Sequence, residues 1–205
     1  MIKNLIFDFG NVVIQFIQAN IVSKVTTDPT EHALLLEAVF GKGKFEETDR
    51  GLITADEHKK ITKQELPEYL HKKADELLEV WYLDLPITDG MEQLLNDAKK
   101  AGYGIYLLSN INIQFAENTD KVPVLKLFDG IMLSSYVKHV KPEKEIYYAL
   151  LDKYNLKAEE CMFVDDREIN VHGGEAVGIK GYLFDGDTKT LRDYINSNSD
   201  MMFKI

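Results

Sequence analysis

The sequence is poor in cysteine, with a single residue, Cys161, in 205. One thiol cannot close an intramolecular disulfide or build a cysteine-rich zinc site. A reducing cytoplasm is the simplest compartment for such a chain. Positive charge is also scarce: 24 Lys and Arg stand against 34 Asp and Glu, a formal net charge of −10. Binding to a nucleic-acid backbone rewards clustered Lys and Arg, so this balance argues against a nucleic-acid partner. A small phosphorylated metabolite needs only local positive charge and is not excluded. No run approaches the ~20 apolar residues that cross a bilayer. Asp8 interrupts the apolar start too early for a secretory core. No internal repeat, low-complexity tract or Pro/Gly/Ser linker divides the chain. What remains is a composition of 45% hydrophobic and 28% charged residues, that of a soluble globular protein able to bury a real core. Nothing in the pattern specifies an oligomeric state.

Five short apolar runs read as buried strands: Leu5-Ile6-Phe7-Asp8-Phe9-Gly10, then 104–110, 130–134, 161–166 and 181–185. Each is apolar in the middle and polar at its C-terminal end. Helical stripes lie between them. Met91, Leu94, Leu95 and Ala98 form one, with Gly102 as a stop; Ile146, Tyr147, Leu150, Leu151 and Tyr154 form another. The alternation predicts an α/β fold, a Rossmann-like, mostly parallel sheet with helices on both faces. It is suspended between about Ile14 and Ile87. There Asp28-Pro29-Thr30-Glu31 and Thr54-Ala55-Asp56-Glu57 read as helix starts, and Leu66, Leu70, Ala74, Leu77, Leu78 and Trp81 make a long apolar stripe. The expected organisation is a core of residues 1–15 and 88–205, with a small helical cap, 16–87, inserted after the first strand.

Ligands of parallel α/β sheets bind at the carboxyl ends of the strands. The residues there are Asp8, Ser109, Asn110, Asp165 and Asp166, joined by Lys141 just before a helix. Any one of them alone is usually a turn former, a helix cap or a solvated charge. Their joint placement on one rim is what points to chemistry. Three clustered carboxylates repel one another unless a cation lies between them, and Mg²⁺, with its preference for oxygen ligands, water and phosphate, is the natural choice.

Phe7-Asp8-Phe9-Gly10-Asn11-Val12-Val13, Leu108-Ser109-Asn110, Val140-Lys141-Pro142 and Val164-Asp165-Asp166-Arg167-Glu168-Ile169-Asn170 resemble, in order and spacing, the four motifs of haloacid dehalogenase-like hydrolases. The insertion after the first strand is similar to that superfamily's cap. The Asp-x-Gly-Asn-Val form and the stretch from Phe45 to Thr54 look most like bacterial alpha-D-glucose-1-phosphate phosphatases. The resemblance implies a Mg²⁺-dependent phosphomonoester hydrolase acting on sugar phosphates, with Asp8 as the nucleophile that forms an aspartyl-phosphate. It implies that Asp8, the Gly10 carbonyl and Asp166 hold the metal, with Asp165 joining them directly or, like Asn170, through metal-bound water. Ser109, Asn110 and Lys141 would bind the phosphoryl oxygens and offset their charge.

One position departs from the pattern. Most phosphatases of the superfamily carry a second Asp two residues after the nucleophile, to protonate the leaving alkoxide and activate water. Here that residue is Gly10. Asn11 is no acid, and His139 is a substitute on chain proximity alone. A sugar 1-phosphate would relax the demand, since an anomeric hydroxyl leaves more easily than an ordinary alcohol. Two other functions compete. A 2-haloacid dehalogenase needs no leaving-group proton but has no use for Asp165-Asp166. A non-catalytic domain binding phosphate or a partner would explain Gly10 but not the retained Asp8, Ser109, Lys141 and Asp166. Glu46, Glu47, Asp49 and Arg50 read equally as active-site residues of the cap or as a solvated turn. Trp81 and Tyr82 read as core rather than as a sugar platform.

Overall fold

The computed structural model describes residues 1–41, 44–199 and 201, with backbone alone at 44–46. Five strands, β1 (Asn4–Phe7), β2 (Gly104–Ser109), β3 (Gly130–Leu133), β4 (Cys161–Asp165) and β5 (Lys180–Leu183), form one sheet in the order β3-β2-β1-β4-β5. Every pairing is parallel. The period-2 geometry of a strand sends successive side chains to opposite faces. Leu5, Phe7, Ile105, Leu107, Met162 and Val164 accordingly join one core cluster with Met91, Leu94, Leu95, Leu191 and Ile195. Ile6, Leu108, Cys161 and Phe163 join a second with Ile146, Tyr147, Leu150 and Leu151. Both faces of the sheet are therefore covered. Cys161 is fully buried, and burial pushes its thiol well up, as suits a packing residue.

The helix Met91–Ala101 ends at Gly102, whose φ of 97° is left-handed and whose N–H reaches Ala98 O, the stop read from the sequence. A C-terminal helix, Thr188–Ser197, capped by the Asp187 side chain, was not foreseen. Among the described residues no helix is long and apolar enough to cross a membrane.

After β1 the chain leaves the sheet for a run of helices. Gln18–Val22 comes first, then Pro29–Phe40, capped by Asp28 through the N–H groups of Thr30 and Glu31. Lys44–Asp49 follows, then Ala55–Gln64, opened by the Thr54/Glu57 capping box. The stripe from Leu66 to Trp81 is buried as expected but does not lie on one helix. Pro67, which lacks an N–H, breaks it into a short 3₁₀ turn, Glu68–Leu70, and the helix His71–Val80. The two ends of the excursion run side by side: Ile14 bridges Ile87, Gln15 N–H donates to Pro86 O, and Thr88 N–H donates to Val13 O.

Candidate functional site

Register brings the strand-end residues together. Phe7 pairs with Leu107 on one side and Val164 on the other, so Asp8 and Asp165, the next residues outward, reach the same rim, with Ser109 two residues beyond Leu107 on β2. Asp8, Ser109 and Asp165 are buried there, and Asp166 is half-buried beside them. Carboxylate oxygens of Asp8, Asp165 and Asp166 lie within 4.8 Å of one another.

Lys141 enters from the segment after β3. It is 3% exposed, and its Nζ donates to Asp8 Oδ1 at 2.6 Å and to Asp165 Oδ2 at 2.7 Å. Burial by itself would weaken its hold on a proton, but the two carboxylates outweigh that and raise its pKa. What holds Lys141 in place is Asn110. Its Oδ1 accepts from Lys141 N–H at 2.7 Å, and its Nδ2 donates to Lys141 O at 3.0 Å. The Asn110 side chain, expected on the phosphoryl oxygens, is thus engaged with the Lys141 backbone.

Asp165 accepts from Lys141, from Arg167 N–H and from Asn170 Nδ2. That last bond orients the Asn170 amide and leaves its Oδ1 buried with no hydrogen-bond partner. Asn11, in a left-handed turn at φ 58°, donates from Nδ2 to Asp166 Oδ2 and accepts from Phe16 N–H. Burial raises the Asp8 carboxyl to about 6; Lys141 opposes the rise and Asp165 adds to it. Asp166 is also raised, first by burial and then by Asp165.

Two adjoining cavities open above this rim. One, about 210 Å³, is polar and is lined by Asp8, Lys141, Asp166 and Asn170 among others. The second, about 240 Å³, has apolar walls from Phe9, Ile14, Phe16, Trp81 and Ile111, with Gln18 and Asn112 as polar points. Gly10, Phe16, Asp49, Ser109 and Asn110 line both. Trp81 is core, as expected, packed edge-on to Phe16 and Tyr82, yet one side of it faces this second cavity. His139 lines neither; its Nδ1 lies 3.3 Å from Glu143. The backbone of Gly10 offers no obstacle to a side chain, since an added Cβ would sit 3.6 Å from Phe16 Cβ.

Asp49 is the residue the sequence left undecided. It ends the helix Lys44–Asp49, which closes by a Schellman pattern: Gly51 N–H donates to Thr48 O and Leu52 N–H to Glu47 O. Gly51 takes the left-handed position at φ 61°, and a Cβ there would fall 2.4 Å from Ser135 O. The turn is fastened to the core by Ser134 Oγ, which donates to Asp49 O at 2.6 Å, and by Arg50, which donates to Glu143 through both terminal nitrogens. Burial, then the charge of Asp8, raises the Asp49 carboxyl to about 8, with Lys141 opposing. Glu47 is exposed, and the Glu46 side chain lies outside the described residues.

The haloacid dehalogenase-like hydrolase family profile matches residues 2–178. The chain is 27% identical over 201 residues to a D-ribitol-5-phosphate phosphatase from Bacteroides thetaiotaomicron, covering 89% of this chain and 91% of the relative. A sesquiterpene phosphatase from Aspergillus oryzae is 35% identical over 92 residues, 44% of this chain and 47% of that protein. Among solved structures, a haloacid dehalogenase family enzyme from Bacteroides thetaiotaomicron in complex with magnesium and inorganic phosphate superposes with a TM-score of 0.69 at 27% identity, covering 93% of this chain and 99% of that one. Profile, rim and sheet order agree, and the chain belongs to the haloacid dehalogenase-like hydrolases.

Proposed function

We propose that this hydrolase is a Mg²⁺-dependent phosphomonoesterase that cleaves small sugar or sugar-alcohol phosphates through an aspartyl-phosphate at Asp8. The observation that carries the reading is the Lys141 ammonium seated between Asp8 and Asp165 at the floor of a polar chamber. A phosphoryl group on Asp8 would sit beside a fixed positive charge and beneath Ser109. The Asp8 oxygen attacks phosphorus and the bond to the leaving oxygen breaks. Lys141 offsets the charge on the phosphoryl oxygens throughout. Asn110 is a positioning residue that keeps Lys141 in place.

The donor set suits a hard divalent ion. It is all oxygen: three clustered carboxylates, the carbonyl of Gly10 on the wall of the same chamber, and the partnerless Asn170 Oδ1. Asp8, Gly10 and Asp166 would hold Mg²⁺, with Asp165 and Asn170 joining directly or through water. When bound, it adds positive charge against the transferring phosphoryl oxygens. The excursion 16–87 acts as the cap, supplying Phe16, Gln18, Asp49 and Trp81 to the walls. The relative that cleaves ribitol 5-phosphate and the size of the apolar chamber both support a pentitol- or hexose-sized leaving group, glucose 1-phosphate among the candidates.

The test is phosphate release from a panel of hexose 1- and 6-phosphates, pentitol phosphates and nucleotides, with Mg²⁺ and with chelator. Metal-dependent release from the sugar and sugar-alcohol esters is expected, at least ~10-fold above the nucleotides, whose leaving nucleoside is larger than a pentitol or a hexose. A folded protein that binds Mg²⁺ but hydrolyses none of these esters would overturn the phosphatase reading in favour of the non-catalytic one.

A further inference from the structure

We propose that Asp49, delivered by the cap, is the general acid and base of the reaction, in the place where Gly10 has no side chain. The inference rests on the phosphatase reading above and names the group that completes it.

Placement carries the argument. The scissile ester oxygen joins the phosphoryl group to the leaving group, so it must lie where the polar and apolar chambers meet. Among the described residues, five line both chambers, and Asp49 alone of them titrates as an acid. The Asp49 carboxyl has no hydrogen bond or ion pair with any described residue, whereas Asp8, Asp165 and Asp166 are all engaged. An acid that must give and retrieve a proton needs that freedom. The backbone that carries it is not free. The Schellman turn at Gly51, the Ser134 hydroxyl and the Arg50–Glu143 pair fasten the turn to the core, so Asp49 is held at the wall the two chambers share.

The steps balance. Asp8 attacks phosphorus, the P–O ester bond breaks, and its electron pair stays on the leaving oxygen, which takes the Asp49 proton and departs as an alcohol. The Asp49 carboxylate then accepts a proton from water as that water's oxygen attacks the aspartyl-phosphate. The bond between phosphorus and Asp8 breaks, releasing phosphate and restoring both side chains. With this acid in place, ordinary alkyl phosphates need not be worse substrates than 1-phosphates.

The experiment compares Asp49→Asn with the parent enzyme on a sugar-alcohol phosphate and on p-nitrophenyl phosphate, whose phenolate leaves without a proton. The expected kcat/KM for the alkyl ester falls by roughly 10²–10⁴-fold, and for the aryl ester by far less. Because water activation is also lost, p-nitrophenolate should appear in a burst followed by a slow steady rate, and Asp49→Glu should recover part of the alkyl activity. The aryl reaction doubles as the check that Asp49→Asn is folded. Equal losses on both esters, or no loss on the alkyl ester, would overturn the role of Asp49. Absence of activity in the parent protein would instead overturn the phosphatase reading itself.

Discussion

Asp8→Asn is expected to lower phosphate release by about 10⁴-fold or more, because a carboxamide cannot form the acyl phosphate. Without metal, the same change should leave the fold no weaker near neutrality. The folded-state value of Asp8, about 6, lies above its ordinary 3.8, so folding favours the protonated form. That contribution is fully present below 3.8 and is lost as pH rises through about 6. In chelator, the parent protein should therefore lose stability across this window, and Asp8→Asn should lose less. Denaturant unfolding of both proteins between acid and neutral pH reads the difference. A variant that unfolds much more easily than the parent at neutral pH in chelator would show Asp8 to be structural. Activity and stability thus pull in opposite directions at this residue.

Lys141→Met should behave in the opposite way, with both activity and stability falling. The Lys141 side chain is 1% exposed, and its ammonium compensates two buried carboxylates at once. Removing one partner of such a buried group leaves uncompensated charge and costs about 3–5 kcal/mol. Methionine fills much of the space of the stem, so the loss is chiefly electrostatic, the ammonium's place over the Phe163 ring included. Two outcomes follow from that cause. The deficit should shrink at acid pH, where Asp8 takes up a proton, and excess Mg²⁺ should restore part of it. A deficit independent of both pH and metal would assign Lys141 a packing role. Phosphate release should fall with it, because the charge beside the transferring group is gone.

Much of the site was legible because parallel strands convert sequence order into spatial order. Once the runs ending in Asp8, Ser109 and Asp165 are read as neighbouring strands, their C-terminal residues must share a rim. Lys141 was legible as a member of the set, but its partners were not: the 2.6 Å bond to Asp8 and the clasp by Asn110 join residues far apart in the chain. The helix Thr188–Ser197 carried signals that went unread, an Asp187 cap and an apolar stripe at Leu191, Tyr194 and Ile195. Asp49 is the instructive case. Composition makes the stretch from Glu46 to Arg50 look like any solvated turn. Gly51, however, stands where a helix C-terminus takes a left-handed residue, and that local stop is what aims Asp49 inward. Where the cap would fall on the rim depends on Ser134, Ser135 and Glu143, contacts that no local pattern encodes.

In the proposed mechanism Asp8 becomes phosphorylated in each turnover. The direct measurement is to mix the enzyme with Mg²⁺ and a sugar-alcohol phosphate, quench in acid within the first turnover, reduce with borohydride and sequence the peptide around β1. Reduction of an aspartyl-phosphate converts that one side chain to homoserine, so the modification is expected at position 8, dependent on substrate and, with p-nitrophenyl phosphate, accumulating further in Asp49→Asn. Phosphate release proceeding at full rate with Asp8 unmodified, or with the label on another residue, would contradict it.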